Sequence, residues 1–152
     1  MSLESVRTFL AQHAPELRII ETMERTATVA EAAAVHGVAT GQIAKTLSLW
    51  LGQTPILLIL GGDARIDNAR FKAHFKVKAK MLNAQEVVHW TGHPVGGVCP
   101  FGLAHPMKVY ADGSLKGFDE VVPAAGSVNS AVRLPVARLV ELAQAQWVEV
   151  SQ

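Results

Sequence analysis

The stretch IAKTLSLWLGQTPILLIL, residues 43–60, decides how the chain folds. Residues 43–50 alternate along the chain and residues 55–60 form a short apolar run, so both parts predict β-strands. The connection between them, residues 51–54, is short and contains a glycine. We therefore expect these two strands to be adjacent and to form the centre of a sheet.

The segments on either side of this centre predict both helices and strands. Because they do not follow a repeating βαβ order, we expect an α+β fold with a mixed, largely antiparallel sheet in a single domain, residues 1–152. Capping patterns, glycine and proline positions and apolar spacing set the predicted ends. Predicted helices cover residues 3–10, the segment from Thr28 to Gly37, and residues 67–75, 83–90 and 135–144; predicted strands cover residues 18–21, 107–110, 121–124 and 131–134.

Length and composition exclude several classes of protein. With 152 residues and 49% apolar content the chain fits one domain with a real core. Its longest apolar run, residues 56–60, is far shorter than the about 20 residues that span a membrane. The single cysteine, Cys99, excludes an internal disulfide, and the six histidines show no metal-ligand spacing. We expect a soluble, cytoplasmic protein without a metal site and without a membrane partner.

Basic residues are concentrated in one segment. The net charge of only +1 excludes binding of nucleic acid by bulk charge, and nothing indicates DNA as a partner. Such a local run either contacts a phosphate backbone or is a solvated surface, and the sequence leaves both open. We call this segment the basic patch; it holds six of the 14 lysines and arginines, namely Arg65, Arg70, Lys72, Lys76, Lys78 and Lys80.

Lys45 is the unusual residue of the first central strand. Alternation puts its side chain on the same face as Ile43, Leu47 and Leu49. A lysine among apolar side chains must reach an edge, find a partner or line a cavity that a ligand can enter, because an unpaired buried ammonium is costly. A lysine at a strand end that reaches solvent is the simpler alternative.

Residues 91–102, TGHPVGGVCPFG, contain four glycines and two prolines, too many for a helix or a regular strand. Residues 96–102 can bring backbone amides close to a carbonyl or phosphate and so stabilise an oxyanion, although an ordinary turn has the same composition. Cys99 has no base beside it in the sequence, which favours a packed thiol over a nucleophile. His93 and His105 lie on either side of residues 96–102 and are either substrate contacts or surface histidines.

Several motifs in a fixed order resemble the YbaK/EbsC family from end to end. They are QIAKTL at residues 42–47, the segment 91–102 with its G-x-x-x-P pattern from Gly96 to Pro100, and AGS at residues 125–127. The family is related to the editing domain inserted in bacterial prolyl-tRNA synthetase. The resemblance implies a YbaK-like fold, with a barrel-like sheet surrounded by helices.

The resemblance also implies an activity and a set of site residues. The expected protein is a trans-editing deacylase that hydrolyses the ester of a mischarged tRNA, such as proline tRNA carrying alanine or cysteine, without a metal or organic cofactor. The expected partners are the mischarged tRNA and, as a further candidate, prolyl-tRNA synthetase. The implied catalytic residues are Lys45 and Gly96, and the implied substrate-binding residues are Thr28, Gly97, Val98, Pro100, Gly126 and Ser127. If the basic patch contacts phosphates, as its charge allows, the tRNA backbone would meet Arg70, Lys72, Lys76, Lys78 and Lys80.

One position departs from the family pattern. Ala131 stands where some members carry an acidic residue, which argues against the cysteinyl specificity of one branch.

Two other functions compete with that of a trans-editing deacylase. A non-catalytic adaptor that binds tRNA or a synthetase would have the same fold, but Lys45 and the Gly96 to Pro100 pattern argue against it. A deacylase of some ester other than aminoacyl-tRNA is the second alternative, and the sequence leaves it open.

Overall fold

The computed structural model of the protein describes residues 2–152. They form one α+β domain in which five helices surround a curled, mixed sheet shaped like a half-barrel, as predicted. The helices are α1 (Ser2–His13), α2 (Val29–His36), α3 (Asn68–Phe75), α4 (Ala84–Thr91) and α5 (Val136–Ala143). The strands are β1 (Ile19–Glu21), β2 (Ile43–Leu51), β3 (Thr54–Gly61), β4 (Lys80–Met81), β5 (Lys108–Asp112), β6 (Glu120–Pro123), β7 (Ser130–Val132), β8 (Leu134–Pro135) and β9 (Gln146–Val148).

The sheet is built around the antiparallel pair β2 and β3, which confirms the predicted centre. Its strand order is β8-β6-β2-β3-β5-β9, and β4 also pairs with β2. The pairs β2–β6, β3–β5 and β5–β9 are parallel, while β2–β3, β2–β4 and β6–β8 are antiparallel. β1 and β7 form a separate antiparallel pair.

From Ile56 to Leu60, β3 is a continuous apolar run because it is buried on both of its faces. Leu57 and Ile59 belong to the main core cluster, together with side chains of α1 and α5. Leu58 and Leu60 lie on the other face, where they share a cluster with Phe71 of α3. A strand covered on both sides has no polar face to alternate with, which explains the continuous apolar run.

The ends of two helices follow the capping signals in the sequence. The Thr28 hydroxyl accepts a hydrogen bond from the Glu31 amide, and the Glu31 carboxylate accepts one from the Thr28 amide, both at 3.1 Å. Asn83 and Glu86 form the same reciprocal cap at the start of α4. Gly37 ends α2 with φ 67°, in the left-handed region that glycine adopts without strain.

Two short strands, β4 and β9, and two 3₁₀ helices, Thr40–Gln42 and Gly113–Gly117, were not predicted. β4 has two residues and β9 has three, too few to show a period of two in the sequence. The 3₁₀ helix Gly113–Gly117 begins after the buried Asp112. Within residues 2–152, the helices are all too short or too polar to cross a membrane.

Candidate active site

The outer edge of β2 is only partly covered by neighbouring strands. β6 pairs with β2 as far as Ala44, and β4 begins its pairing at Leu49. Among the described residues no strand covers the edge between these two points. The Ser48 carbonyl on this edge accepts a hydrogen bond from the Leu82 amide at 3.0 Å. Backbone groups of every second residue face the same edge, so the amide and carbonyl of Thr46 lie at the gap.

A cavity of about 250 Å³ adjoins this gap. Its walls come from β2, from α2 and the residues just before it, from the glycine-rich residues 91–102 and from the region of β6 and β7. Four of the predicted site residues, Thr28, Lys45, Gly96 and Val98, are among those that line it. The full lining consists of residues 26–29, Ala32, His36, residues 43–48, Met81, Val87, Val95, Gly96, Val98, Val122, Ala124, Ser130 and Ala131.

Lys45 is half-buried in the wall of this cavity. Its ammonium donates hydrogen bonds to the Ala64 carbonyl and, at 3.2 Å, to the Gly62 carbonyl, just beyond the end of β3. Burial lowers the pKa of Lys45, the nearby Asp63 carboxylate opposes that shift, and Arg65 adds to it. An ammonium has three N–H donors, so two hold the side chain in place and one is left for a ligand.

The glycines of residues 96–97 allow close contacts that a larger residue would block. Gly96 has φ 91°, and a Cβ atom there would lie 2.7 Å from the Cβ of Ala27. A Cβ on Gly97 would lie 2.7 Å from the Ser127 amide nitrogen. The Gly126 amide donates to the Gly97 carbonyl at 2.9 Å. Gly97, Gly126 and Ser127 therefore hold two loops together behind the cavity, outside its lining.

Two other predicted substrate-binding residues also have a role in the fold or lie away from the cavity. Thr28 lines the cavity, but its hydroxyl caps α2. Pro100 is buried and lies outside the lining. The Ser127 hydroxyl lies 2.6 Å from that of Ser130, which does line the cavity. Within residues 2–152 no three His, Cys, Asp or Glu residues are placed to hold a metal ion.

His93 is neither a surface residue nor part of the cavity lining. It is fully buried, with Nδ1 2.6 Å from the Ser2 hydroxyl and Nε2 2.7 Å from the Phe101 carbonyl. The Ser2 hydroxyl also donates to the Gly126 carbonyl at 2.5 Å. These contacts tie the start of α1 to both glycine loops. Burial lowers the pKa of His93, and the hydrogen bond to the Phe101 carbonyl opposes that shift.

Cys99 is a packed thiol, as its sequence neighbours suggested. It is fully buried, and its Sγ lies 3.7 Å from Nε2 of His93. Burial raises the pKa of the Cys99 thiol to about 12, so the thiolate that would act as a nucleophile is not formed near neutral pH. Cys99 is also absent from the cavity lining.

Three cavity residues were missed by the sequence reasoning. His36 Nε2, Thr46 Oγ1 and Ser48 Oγ are buried and have no hydrogen-bond partner within the described chain. Burial, and then the charge of Arg133, lower the pKa of His36. Thr46 and Ser48 carried a usable signal, since they are the polar residues on the face of β2 opposite Lys45.

The basic patch is exposed and reaches the rim of the cavity. All six of its lysines and arginines are exposed. Arg70 donates to the Ser151 carbonyl at 3.1 Å, and Lys76 donates to the Ala73 carbonyl at 2.8 Å at the end of α3. Lys80 directly precedes Met81, which lines the cavity. The Lys80 end of the patch therefore lies next to the cavity.

Relatives by sequence include proteins of matching and of much greater length. The "Uncharacterized protein YwhH" of Bacillus subtilis (strain 168) is 47% identical over 152 residues, covering 99% of this chain and 97% of that protein. Proline–tRNA ligase of Geobacter sp. (strain M21) is 33% identical over 103 residues, 67% of this chain but 18% of the ligase. The similarity to the ligase therefore concerns one part of a larger enzyme.

A solved structure matches nearly the whole chain. It is described as "Crystal structure of a putative trans-editing enzyme for prolyl tRNA synthetase", and it superposes with a TM-score of 0.91 at 28% identity, covering 99% of this chain and 97% of that one. Residues 23–142 match the model of the aminoacyl-tRNA editing domain. The chain belongs to the aminoacyl-tRNA editing domain family, and the family inferred from its motifs is confirmed.

Proposed function

We propose that the protein is a trans-editing aminoacyl-tRNA deacylase, which hydrolyses the ester of a mischarged tRNA such as proline tRNA carrying alanine or cysteine. The observation that carries this proposal is Lys45, which is fixed by two backbone carbonyls, keeps one N–H donor and lies in the wall of a cavity that Gly96 also lines. Family membership supports an aminoacyl-tRNA as the ligand. The solved neighbour described as a trans-editing enzyme supports action apart from a synthetase.

The cavity suits an ester that already has a good leaving group. An aminoacyl ester on ribose needs mainly positioning, a water molecule and charge stabilisation. In this mechanism the free N–H of Lys45 holds phosphate or ribose oxygens of the terminal adenosine. The backbone around Gly96, with the open amide of Thr46, meets the ester carbonyl, and the neighbouring ribose hydroxyl or the loop backbone directs the water. No catalytic triad is required.

The size and chemistry of the cavity support a small aminoacyl group. A volume of about 250 Å³ lined by side chains such as Ile43, Leu47 and Val98 suits a short, uncharged side chain. Editing of such groups is needed because a synthetase pocket cannot strongly reject a slightly smaller or isosteric amino acid. Similarity to proline–tRNA ligases supports proline tRNA as the carrier and the synthetase as a candidate partner. Because charged tRNA is used in translation, we expect the reaction to take place in the cytoplasm.

The decisive experiment offers the protein a panel of mischarged tRNAs and follows release of each amino acid. We expect proline tRNA carrying a small amino acid to be deacylated, and correctly charged prolyl-tRNA to be spared. Binding of tRNA without release would instead indicate an adaptor. Hydrolysis of simple amino-acid esters at the same rate as the tRNA ester would indicate a deacylase with another natural substrate.

A further inference from the structure

The polar side chains in the cavity wall fall into two groups. Lys45, Thr26, Thr28 and Ser130 already have hydrogen-bond partners within the protein. Thr46 Oγ1 and Ser48 Oγ, on the opposite face of β2 from Lys45, are buried and have none among the described residues. Ser48 is only 3% exposed. Two unused hydroxyls therefore stand side by side on one strand face in the wall of one cavity.

Such groups are unusual in a folded protein. Most buried polar atoms are hydrogen-bonded, because a buried donor or acceptor that has lost water and found no partner destabilises the fold. A hydroxyl can both donate and accept, so it can pair with a ligand group of either kind. Alanine and valine would fill the same positions without this cost. The pair of hydroxyls is thus explained if a ligand supplies the missing partner.

We propose that Thr46 and Ser48 read the side chain of the aminoacyl group and favour one with a small hydrogen-bonding group, a hydroxyl or thiol, over alanine. This inference rests on the proposed function and specifies its substrate. The neighbouring lining residues Ile43, Leu47 and Val98 are apolar and cannot make this distinction. No carboxylate lines the cavity within residues 2–152, so a polar side chain there depends on these hydroxyls or on His36.

The first test compares matched pairs of substrates on the wild-type protein. Proline tRNA is charged with serine or alanine, and separately with threonine or 2-aminobutyrate, so that each pair differs by one hydroxyl. We expect kcat/KM for the hydroxyl member to exceed that of its partner about tenfold, equal to about 1.4 kcal/mol. Cysteine, a weaker hydrogen-bonding group, should fall between serine and alanine. Equal values within each pair, or a preference for the apolar member, would overturn the proposal.

The second test removes the hydroxyls. In Thr46→Val with Ser48→Ala the ratio of kcat/KM for serine to that for alanine should fall toward one. Thr8→Val is the matched control, since Thr8 is exposed on α1 and its variant should keep the wild-type ratio. A double variant with an unchanged ratio would show that the hydroxyls do not read the side chain.

A third measurement separates a ligand-reading role from a structural one without any substrate. If Ser48 Oγ has no partner in the free protein, Ser48→Ala should leave the thermal midpoint unchanged or raise it. A lower midpoint would mean that the hydroxyl is satisfied within the fold, which contradicts the proposal. Failure to hydrolyse any charged tRNA would overturn the proposed function together with this inference, whereas hydrolysis without discrimination would overturn only the inference.

Discussion

Lys45 and the lysines of the basic patch are the same residue type in opposite surroundings. Lys45 is half-buried, held by the carbonyls of Gly62 and Ala64, and has its pKa lowered by burial. Lys72 and Lys78 are exposed, and no acidic side chain in the described chain pairs with them. A fixed cation in a cavity can act on one defined atom of a ligand, whereas mobile surface cations add long-range attraction to phosphates. We therefore expect Lys45 to act in the chemical step and the lysines of the basic patch to contribute to affinity for tRNA.

Lys45→Ala should have the largest effect on activity. It removes the N–H donor that Lys45 keeps for substrate, so we expect deacylation to fall by far more than tenfold, while the thermal midpoint stays nearly unchanged. The measurement is single-turnover release of the amino acid, with Lys78→Ala as the exposed control. Retention of more than about a tenth of the wild-type rate, about 1.4 kcal/mol of barrier or less, would remove Lys45 from the centre of the mechanism.

Gly96→Ala, in the wall of the cavity, should have the second-largest effect on activity. Alanine at φ 91° is strained, and its Cβ would collide with Ala27. We expect a loss of activity of about tenfold or more and a lower thermal midpoint. Gly52→Ala is the matched control, because Gly52 also has a positive φ but no neighbour within 4 Å of the added Cβ. Equal activity in the two variants would show that the Gly96 loop does not shape the site.

Charge reversal in the basic patch should raise KM and leave the chemical step largely intact. Lys76 caps the end of α3, so the cleaner variant is Lys72→Glu with Lys78→Glu. Affinity for tRNA should fall several-fold, and its dependence on salt should weaken, because fewer counterions are released on binding. The rate at saturating tRNA should survive, since these groups act equally on ground and transition states. Wild-type behaviour across a salt titration would make the patch a solvated surface.

The pH profile tests the charge state of Lys45 itself. The folded-state pKa lies below the ordinary value of 10.5, so the cation is present below that lowered pKa and is lost as pH rises through it. We therefore expect kcat/KM, corrected for spontaneous ester hydrolysis, to decline at alkaline pH with an apparent pKa below 10.5. A rate that rises through this range would instead indicate a neutral amine acting as a base.

Cys99→Ala should have the smallest effect. The thiol is fully buried, with a pKa raised to about 12, and lies outside the cavity lining. We expect the deacylation rate to change by less than about twofold, with a modest loss of stability from the removed sulfur. Loss of activity without unfolding would bring a thiol mechanism back.

Local signals in the sequence were enough for much of the fold. Thr28 and Asn83 form the predicted caps, and β2 and β3 form the predicted centre of the sheet. These features depend on residues near each other in the chain, so a short pattern contains the required information. β4 and β9 are different, because strands of two or three residues exist only through pairing with a distant neighbour.

The sequence by itself determined that a lysine would lie among apolar residues on a central strand and that a glycine-rich loop would follow later in the chain. It could not decide whether Lys45 reaches solvent, finds a partner or lines a cavity. The tertiary structure decided this by leaving the edge of β2 uncovered between β6 and β4 and by placing the Gly62 and Ala64 carbonyls around the ammonium. It also left Thr46 and Ser48 without partners. Burial and hydrogen-bond satisfaction depend on which distant segments pack together, and no local pattern records that.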